Sequence, residues 1–219
     1  MKYPKIQSLW HRVGYDYKEN KGKGSKEFIE GAYSCPELGN VKEYLVQEKI
    51  DGMNIRIICT RDESGSWDIK FSGRTDNAML PPKLLEYLTN HFTTDLIESV
   101  FPDAREVILF GEGYGKKIQS GNYYSDEQRF VLFDVYLNHR WWLEVDDVVD
   151  TSIKLNVPTV PTIGVWTEEH IIAYIKSKPL SVFAKDAHVT EGIVARAYPM
   201  MLCRDGTPIK FKLKVKDFK

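Results

Sequence analysis

The sequence predicts an α+β fold whose sheets are antiparallel, and three observations carry that prediction. Apolar and polar residues alternate in short runs, as half-buried strands require. Those runs arrive close together, joined by turn signals such as Asp51-Gly52, SGSW (64–67) and Asn138-His139. Helical stretches punctuate them without the regular strand–helix alternation that a parallel sheet needs.

Taken in order, the first 42 residues read as loosely structured. Trp10, several tyrosines and the basic stretch KENKGKGSK lie there among Gly-rich turns. EYLVQEKI (43–50) and NIRIICT (54–60) read as the two arms of a hairpin. Asp51-Gly52 is its turn, because Gly tolerates positive φ. WDIKFSGR (67–74) reads as a strand. PPKLLEYLTNHFTTDLIESVF (81–101) is the clearest helix: two prolines open it, and Leu84, Leu85, Leu88, Phe92, Leu96, Ile97 and Val100 fall near helical spacing. Strands EVILFGEGYG (106–115), RFVLFDVYL (129–137) and RWWLEV (140–145) follow. Residues 145–156 and 167–177 read as helices separated by the Pro-rich NVPTVPTIG. EGIVARAYP (191–199) and PIKFKLKVKDF (208–218) return to strands.

At 219 residues, 42% hydrophobic and 28% charged, the chain has the composition of a soluble globular protein able to bury a core. No shift in composition marks a linker, so one domain (1–219) is the economical division: an N-terminal segment (1–42) and a core (43–219). The net charge of −1 sets up no global field for a polyanion, so any nucleic-acid surface must be local. Three scattered cysteines, Cys35, Cys59 and Cys203, lack metal-ligand spacing and argue against a structural zinc. Their odd number, with no N-terminal apolar run, predicts a reducing, cytoplasmic setting, and no apolar stretch is long enough to span a bilayer.

Four features carry chemistry. Lys49 lies among apolar residues between Glu48 and Asp51; desolvation or a neighbouring cation would free its amine as a nucleophile. A solvated hairpin lysine is the ordinary alternative. Glu112 in FGEGYG is a carboxylate bracketed by glycines, where backbone can approach a ligand, although a plain strand-end turn has the same pattern. Glu191 in TEGIVAR repeats the device, and its oxygens suit a hard divalent cation. Lys210, Lys212, Lys214 and Lys216 alternate in KFKLKVK and predict one cationic strand face, with Phe211, Leu213 and Val215 on the core side. A solvated, edge-protecting face would look the same. Together these features suit a triphosphate held by side chains, since GxxxxGK[ST] is absent.

EKIDGMN, SGRT, LFGEGYG, FVLFDV, EGIVAR and KLKVKDF stand in the order of motifs I, Ia, III, IIIa, IV and V of the covalent nucleotidyltransferases. The chain resembles that superfamily, which holds ATP-dependent DNA ligases, RNA ligases and mRNA capping enzymes, from about Lys49 to Phe218. YPKIQSLWHR, GRTDNA and GEGYGKKIQ are similar to phage and bacterial RNA ligase-like proteins; the resemblance implies an ATP-dependent RNA ligase, with a phage genome as one source. The resemblance implies a nucleotidyltransferase domain of two antiparallel sheets flanked by helices, with ATP between the sheets. It implies that Lys49 attacks the α-phosphorus of ATP to form lysyl-AMP. AMP then passes to a 5′-phosphate end of RNA or DNA, and a 3′-hydroxyl displaces it to seal the strand.

By the same resemblance, Glu48 helps read the adenine and Asp51 and Gly52 complete the motif. Asn54 stands where nick-sealing RNA ligases have asparagine and many DNA ligases and capping enzymes have arginine. Arg74 is a phosphate clamp, Glu112 holds the ribose or orients the site, and Phe133 stacks on the adenine, a core aromatic being its alternative. Glu191 binds Mg²⁺ or Mn²⁺. Lys212 and Lys214 contact the α-phosphate, with Lys210 on the same face. The chain stops after motif V, so no C-terminal OB domain is expected, and the N-terminal lysines, Trp10 and tyrosines are candidates for strand contact. A minimal DNA ligase, a GTP-using capping enzyme, a non-catalytic binding protein that keeps the fold, and transfer of AMP to a protein or small molecule are the alternatives.

Overall fold

The strand that carries Lys49 and the strand that follows it do not pair. In the computed structural model, which describes residues 1–14 and 27–218, the strands are, in chain order, β1 (Gln7–Ser8), β2 (Trp10–Arg12), β3 (Phe28–Tyr33), β4 (Tyr44–Lys49), β5 (Met53–Arg61) and β6 (Trp67–Ser72). Helices α1 (Pro82–His91) and α2 (Thr94–Val100) precede β7 (Glu106–Tyr114), β8 (Arg129–Leu137), β9 (Trp141–Trp142) and helix α3 (Val145–Lys154). The chain ends with β10 (Thr162–Trp166), α4 (Glu168–Lys176), β11 (Gly192–Ala197) and β12 (Lys210–Lys214). One sheet has the order β1-β12-β11-β4-β10 and another the order β6-β5-β7-β8-β9, with β2 and β3 forming a small ribbon. The expected 43–60 hairpin is therefore a crossover between sheets.

Two compact units divide the chain: Met1–Tyr3, Ile50–Val160 and Phe183–Asp186 in one, Pro4–Lys49, Pro161–Val182 and Ala187–Lys219 in the other. In the first unit, one face of the β6-to-β9 sheet is covered by helices. Ile55, Ile57, Leu109 and Leu132 of the strands pack with Leu84 and Leu88 of α1 and Ile97 of α2, all fully buried. Each such side chain contributes about 1.5–3 kcal/mol by leaving water. The single helix expected over 81–101 is two. It breaks at Phe92, and Thr93 caps α2 by accepting a hydrogen bond from the Leu96 amide (3.3 Å). Leu85, expected on the apolar face, is exposed. Asn138 and His139 both have positive φ (50° and 55°), matching the twist of the β8–β9 hairpin. RWWLEV is mostly not strand: β9 keeps two residues and Val145 begins α3.

In the second unit, Tyr44, Val46, Ile193, Phe211 and Leu213 of the sheet pack with Ile171 and Ile175 of α4. All its strand pairs but one are antiparallel; β1 runs parallel to β12. Two expectations fail here. The opening segment holds strands and a buried Leu9 and Trp10, while KENKGKGSK (18–26) lies outside the described residues. The Pro-rich 156–164 stretch contributes the start of β10, which pairs with β4. Prolines on both sides hid that strand, because Pro is confined to strand starts and edges.

Candidate active site

Lys49 is the last residue of β4. Across the sheet its partner is Gly192 of β11, and Gly192 is also the partner of Lys214 on β12. Glu191 immediately precedes Gly192. Its carboxylate accepts from Lys49 Nζ at 2.6 Å through Oε2 and from Lys214 Nζ at 2.5 Å through Oε1. All three side chains keep between 14% and 23% of their surface exposed, so the triad is shielded yet reachable from solvent. Two cations on one carboxylate leave a net positive pocket, suited to phosphate oxygens. Gly192 makes the row possible: a Cβ there would lie 2.1 Å from the Leu213 carbonyl oxygen and 2.8 Å from Lys214 Cα.

Lys210 and Lys212 share the alternating side of β12 with Lys214, and Phe211 and Leu213 are fully buried on the other. Lys210 is itself buried, opposite Arg196, while Lys212 lies opposite Val194. Lys216 does not extend the stripe. It falls in a 3-10 turn over Val215–Phe218, which ends the strand's alternation.

Glu48 points to the opposite side of β4 from Lys49 and is buried. Its carboxylate accepts from the Val182 amide at 2.8 Å, from Ser181 Oγ and from Thr190 Oγ1 at 3.3 Å. A buried carboxylate needs such donors. Here they come from the 181–190 segment, and nothing in the local sequence around Glu48 announces them.

The remaining candidates belong to the other unit. The Asp51 amide donates to Tyr124 Oη at 3.2 Å. Gly52 is glycine for a reason other than the one expected. Its φ is not positive, but a Cβ would sit 2.3 Å from the Gly113 carbonyl oxygen and 2.8 Å from Glu112 Cγ. Asn54 on β5 stands opposite Glu112 on β7. Asn54 Oδ1 is buried and has no hydrogen-bond partner among the described residues, an acceptor left over for a ligand donor.

Phe133 is the extra residue of a β-bulge, since Gly111 pairs with Leu132 and Phe110 with Asp134. Bulges re-aim side chains, and the half-buried Phe133 packs against the cluster of Ile50, Tyr114, Tyr124, Val131 and Val160 and edge-on to Tyr3 (5.0 Å). Arg74 is exposed on the 73–77 bend. Its loop is tied down by Arg56, which the sequence reading passed over. The Arg56 side chain, 1% exposed, donates through Nε to the Gly73 carbonyl (2.8 Å), through one NH₂ group to the Met1 carbonyl (3.0 Å) and through the other to Asp76 (2.7 Å). An arginine inside the apolar run NIRIICT was the available signal.

The structure thus brings Lys49, Glu191 and Lys214 into direct contact, with Lys212 on the same strand, and sets Asn54 beside Glu112. No cluster of three or more His, Cys, Asp or Glu suited to a metal occurs among the described residues. No helix among them is long and apolar enough to cross a membrane.

A family model described as RNA ligase matches residues 42–214. A variant of the Naegleria gruberi RNA ligase with ATP and Mn is 19% identical, with a TM-score of 0.62, over 97% of this chain and 62% of that one. The same protein with PPi matches at 19% identity and a TM-score of 0.61, over 97% and 61%. An archaeal ATP-dependent RNA ligase matches at 15% identity and a TM-score of 0.57, over 99% and 49%. The chain therefore spans about half to three fifths of the length of these proteins. Among curated proteins nothing matches.

Proposed function

Because the chain belongs to the RNA ligase family, we propose that it is an ATP-dependent RNA ligase that works through a lysyl-AMP intermediate. The single observation that supports this most is the contact of Lys49 with Glu191 and, through it, with Lys214. A lone surface lysine needs no such neighbours. The neighbours named with ATP, Mn and PPi support ATP as the nucleotide.

Lys49 Nζ gives up a proton to water and releases its contact with Glu191, then attacks the α-phosphorus of ATP. A nitrogen–phosphorus bond forms, the bond from that phosphorus to the β-phosphate bridging oxygen breaks, and pyrophosphate leaves. Lys214 and Lys212 neutralise charge on the α-phosphate, the kind of preorganised stabilisation that dominates phosphoryl chemistry. An oxygen of a strand's 5′-phosphate next attacks the lysyl-AMP, releasing Lys49 and forming a 5′–5′ pyrophosphate cap. A 3′-hydroxyl finally attacks the 5′-phosphorus and AMP departs.

Glu191 would be the protein ligand for Mg²⁺ or Mn²⁺, its carboxylate oxygens suiting a hard cation. Both of those oxygens engage lysines in this structure. The ion would supply charge neutralisation on phosphate. Asn54, with its leftover acceptor, and Glu112 orient the ribose side of the nucleotide, Arg74 clamps phosphate, Phe133 stacks on the adenine and Glu48 helps read it. The whole chain is one nucleotidyltransferase domain. Its three free cysteines support a cytoplasmic setting.

The test is incubation with α-labelled ATP and Mg²⁺ followed by denaturing electrophoresis. Label that stays on wild type and vanishes in Lys49→Ala supports the proposal. Unlabelled protein whose intact mass shows no bound AMP sinks it.

A further inference from the structure

Past the end of β7, the first unit carries an open cavity of about 830 Å³. Lys83 and Tyr87 of α1, His91, Lys116, Lys117 and Arg129 are among its lining residues. None belongs to the candidate active site. The charges there are unevenly satisfied. Asp126 is held by Lys185 (2.5 Å) and Glu127 by Arg129, so two of the three acids of the rim already have partners. Lys83, Lys116 and Lys117 are exposed and make no ion pair among the described residues; Glu86 is the rim acid left without an ion pair there, and Asp126 also lies within the field of Lys116. Arg129 lies over Tyr87 at 5.0 Å, and Tyr87 stacks on His91 at 5.5 Å and 23°, which gives the cavity a rigid wall.

The loop that presents two of these lysines is fixed at a conformational cost. Lys117 and Gln119 hold positive φ (71° and 46°), a conformation that disfavours non-glycine residues. The Lys117 amide donates to Asn122 Oδ1 (3.3 Å) and the Gln128 side chain donates to the Lys116 carbonyl (3.0 Å). Gly121 packs so tightly on Gly115 that a Cβ would lie 2.3 Å from its carbonyl oxygen. A disordered pair of lysines would need none of this.

We infer that this groove docks the phosphate backbone of the RNA strand that the site acts upon. The inference rests on the ligase reading for the identity of its occupant. The three lysines stand on two separate elements, α1 and the loop after β7, around an open cavity, which suits successive phosphates better than one small anion. Their position fits the same occupant. Arg129 pairs with Tyr114, two residues beyond Glu112, so along the strand the groove begins roughly 7 Å from Glu112.

The experiment measures binding of a short fluorescent 5′-phosphorylated RNA by anisotropy across a salt series. Wild type is compared with the triple variant Lys83→Ala, Lys116→Ala, Lys117→Ala, and with a control triple, Lys42→Ala, Lys70→Ala, Lys178→Ala. The groove variant should bind on the order of 10–100-fold more weakly, and its log–log salt slope should be smaller by about 2, as loss of three contacts to a single strand requires. Lysyl-AMP labelling should stay within about twofold of wild type, because transfer of AMP from ATP to Lys49 does not involve the strand. Equal affinity and slope in wild type and groove variant would overturn the inference, as would an equal loss in the control triple. An acidic peptide that displaces the RNA at matched charge would assign the groove to a protein partner and overturn it too. Failure of wild type to label, with no bound AMP in its intact mass and groove-dependent RNA binding intact, would instead strike the ligase proposal alone.

Discussion

The ammonium of Lys49 and the carboxylate of Glu191, 142 residues apart in the chain, meet at 2.6 Å. Glu191 shares its other oxygen with Lys214, so one carboxylate balances two cations. Replacing it with Gln keeps the shape and removes the charge. Glu191→Gln is expected to cost roughly 1 kcal/mol or less in thermal or urea unfolding, the scale of partly exposed pairs. Labelling with α-labelled ATP should fall by about 10²-fold or more. A variant that labels at the wild-type rate would remove Glu191 from the chemistry.

Gly192 offers a test that touches no charged atom. In Gly192→Ala the new methyl meets the Leu213 carbonyl oxygen at 2.1 Å. β11 and β12 must then part, which overpacking data put at about 1–3 kcal/mol. Lys214 moves with β12, so lysyl-AMP formation should drop more than the stability loss explains at a temperature where the variant is folded. Urea unfolding together with initial labelling rates separates the two.

Arg56 is expected to matter more to folding than any exposed arginine. In Arg56→Met the Gly73 and Met1 carbonyls lose their donor, a loss of about 1–3 kcal/mol each where the group stays buried. The pH dependence has a definite sign. The Arg56 guanidinium holds the Asp76 carboxyl below its ordinary range, by hydrogen bond first and charge second. That contribution is present above the unfolded carboxyl pKa and is lost as pH falls through the lower folded value. Wild type should therefore lose part of its stability advantage over Arg56→Met below about pH 4. Denaturation curves at several pH values would show it.

The thiols should differ in reactivity. Burial pushes the Cys59 thiol up to about 12, and burial followed by the hydrogen bond to Glu37 pushes Cys35 up to about 11. Thiolate is the reactive form. At pH 8 in native buffer Cys59 should resist a disulfide reagent until the protein is unfolded, and Cys35 should react slowly. Rapid titration of all three thiols in the native state would contradict the burial of β5.

Much of this protein is legible in its sequence because much of it is local. Period-two runs mark β7, β8, β11 and β12, Pro81-Pro82 marks the start of α1, and the ordered motifs mark Lys49, Glu112, Glu191, Lys212 and Lys214. An alternating run does not say which strand it will pair with. β4 and β5 read as one hairpin and lie in different sheets, because ladder partners are chosen by non-local packing. The same limit hid what Gly192 is for, since its missing Cβ matters only to β12, some twenty residues later in the chain. It hid Arg56 as well, whose acceptors come from Met1, Gly73 and Asp76. Residue types and their order were determined by the sequence alone. Which of those residues touch was decided by tertiary structure, because contact depends on register and close approach, and neither is encoded in any single stretch.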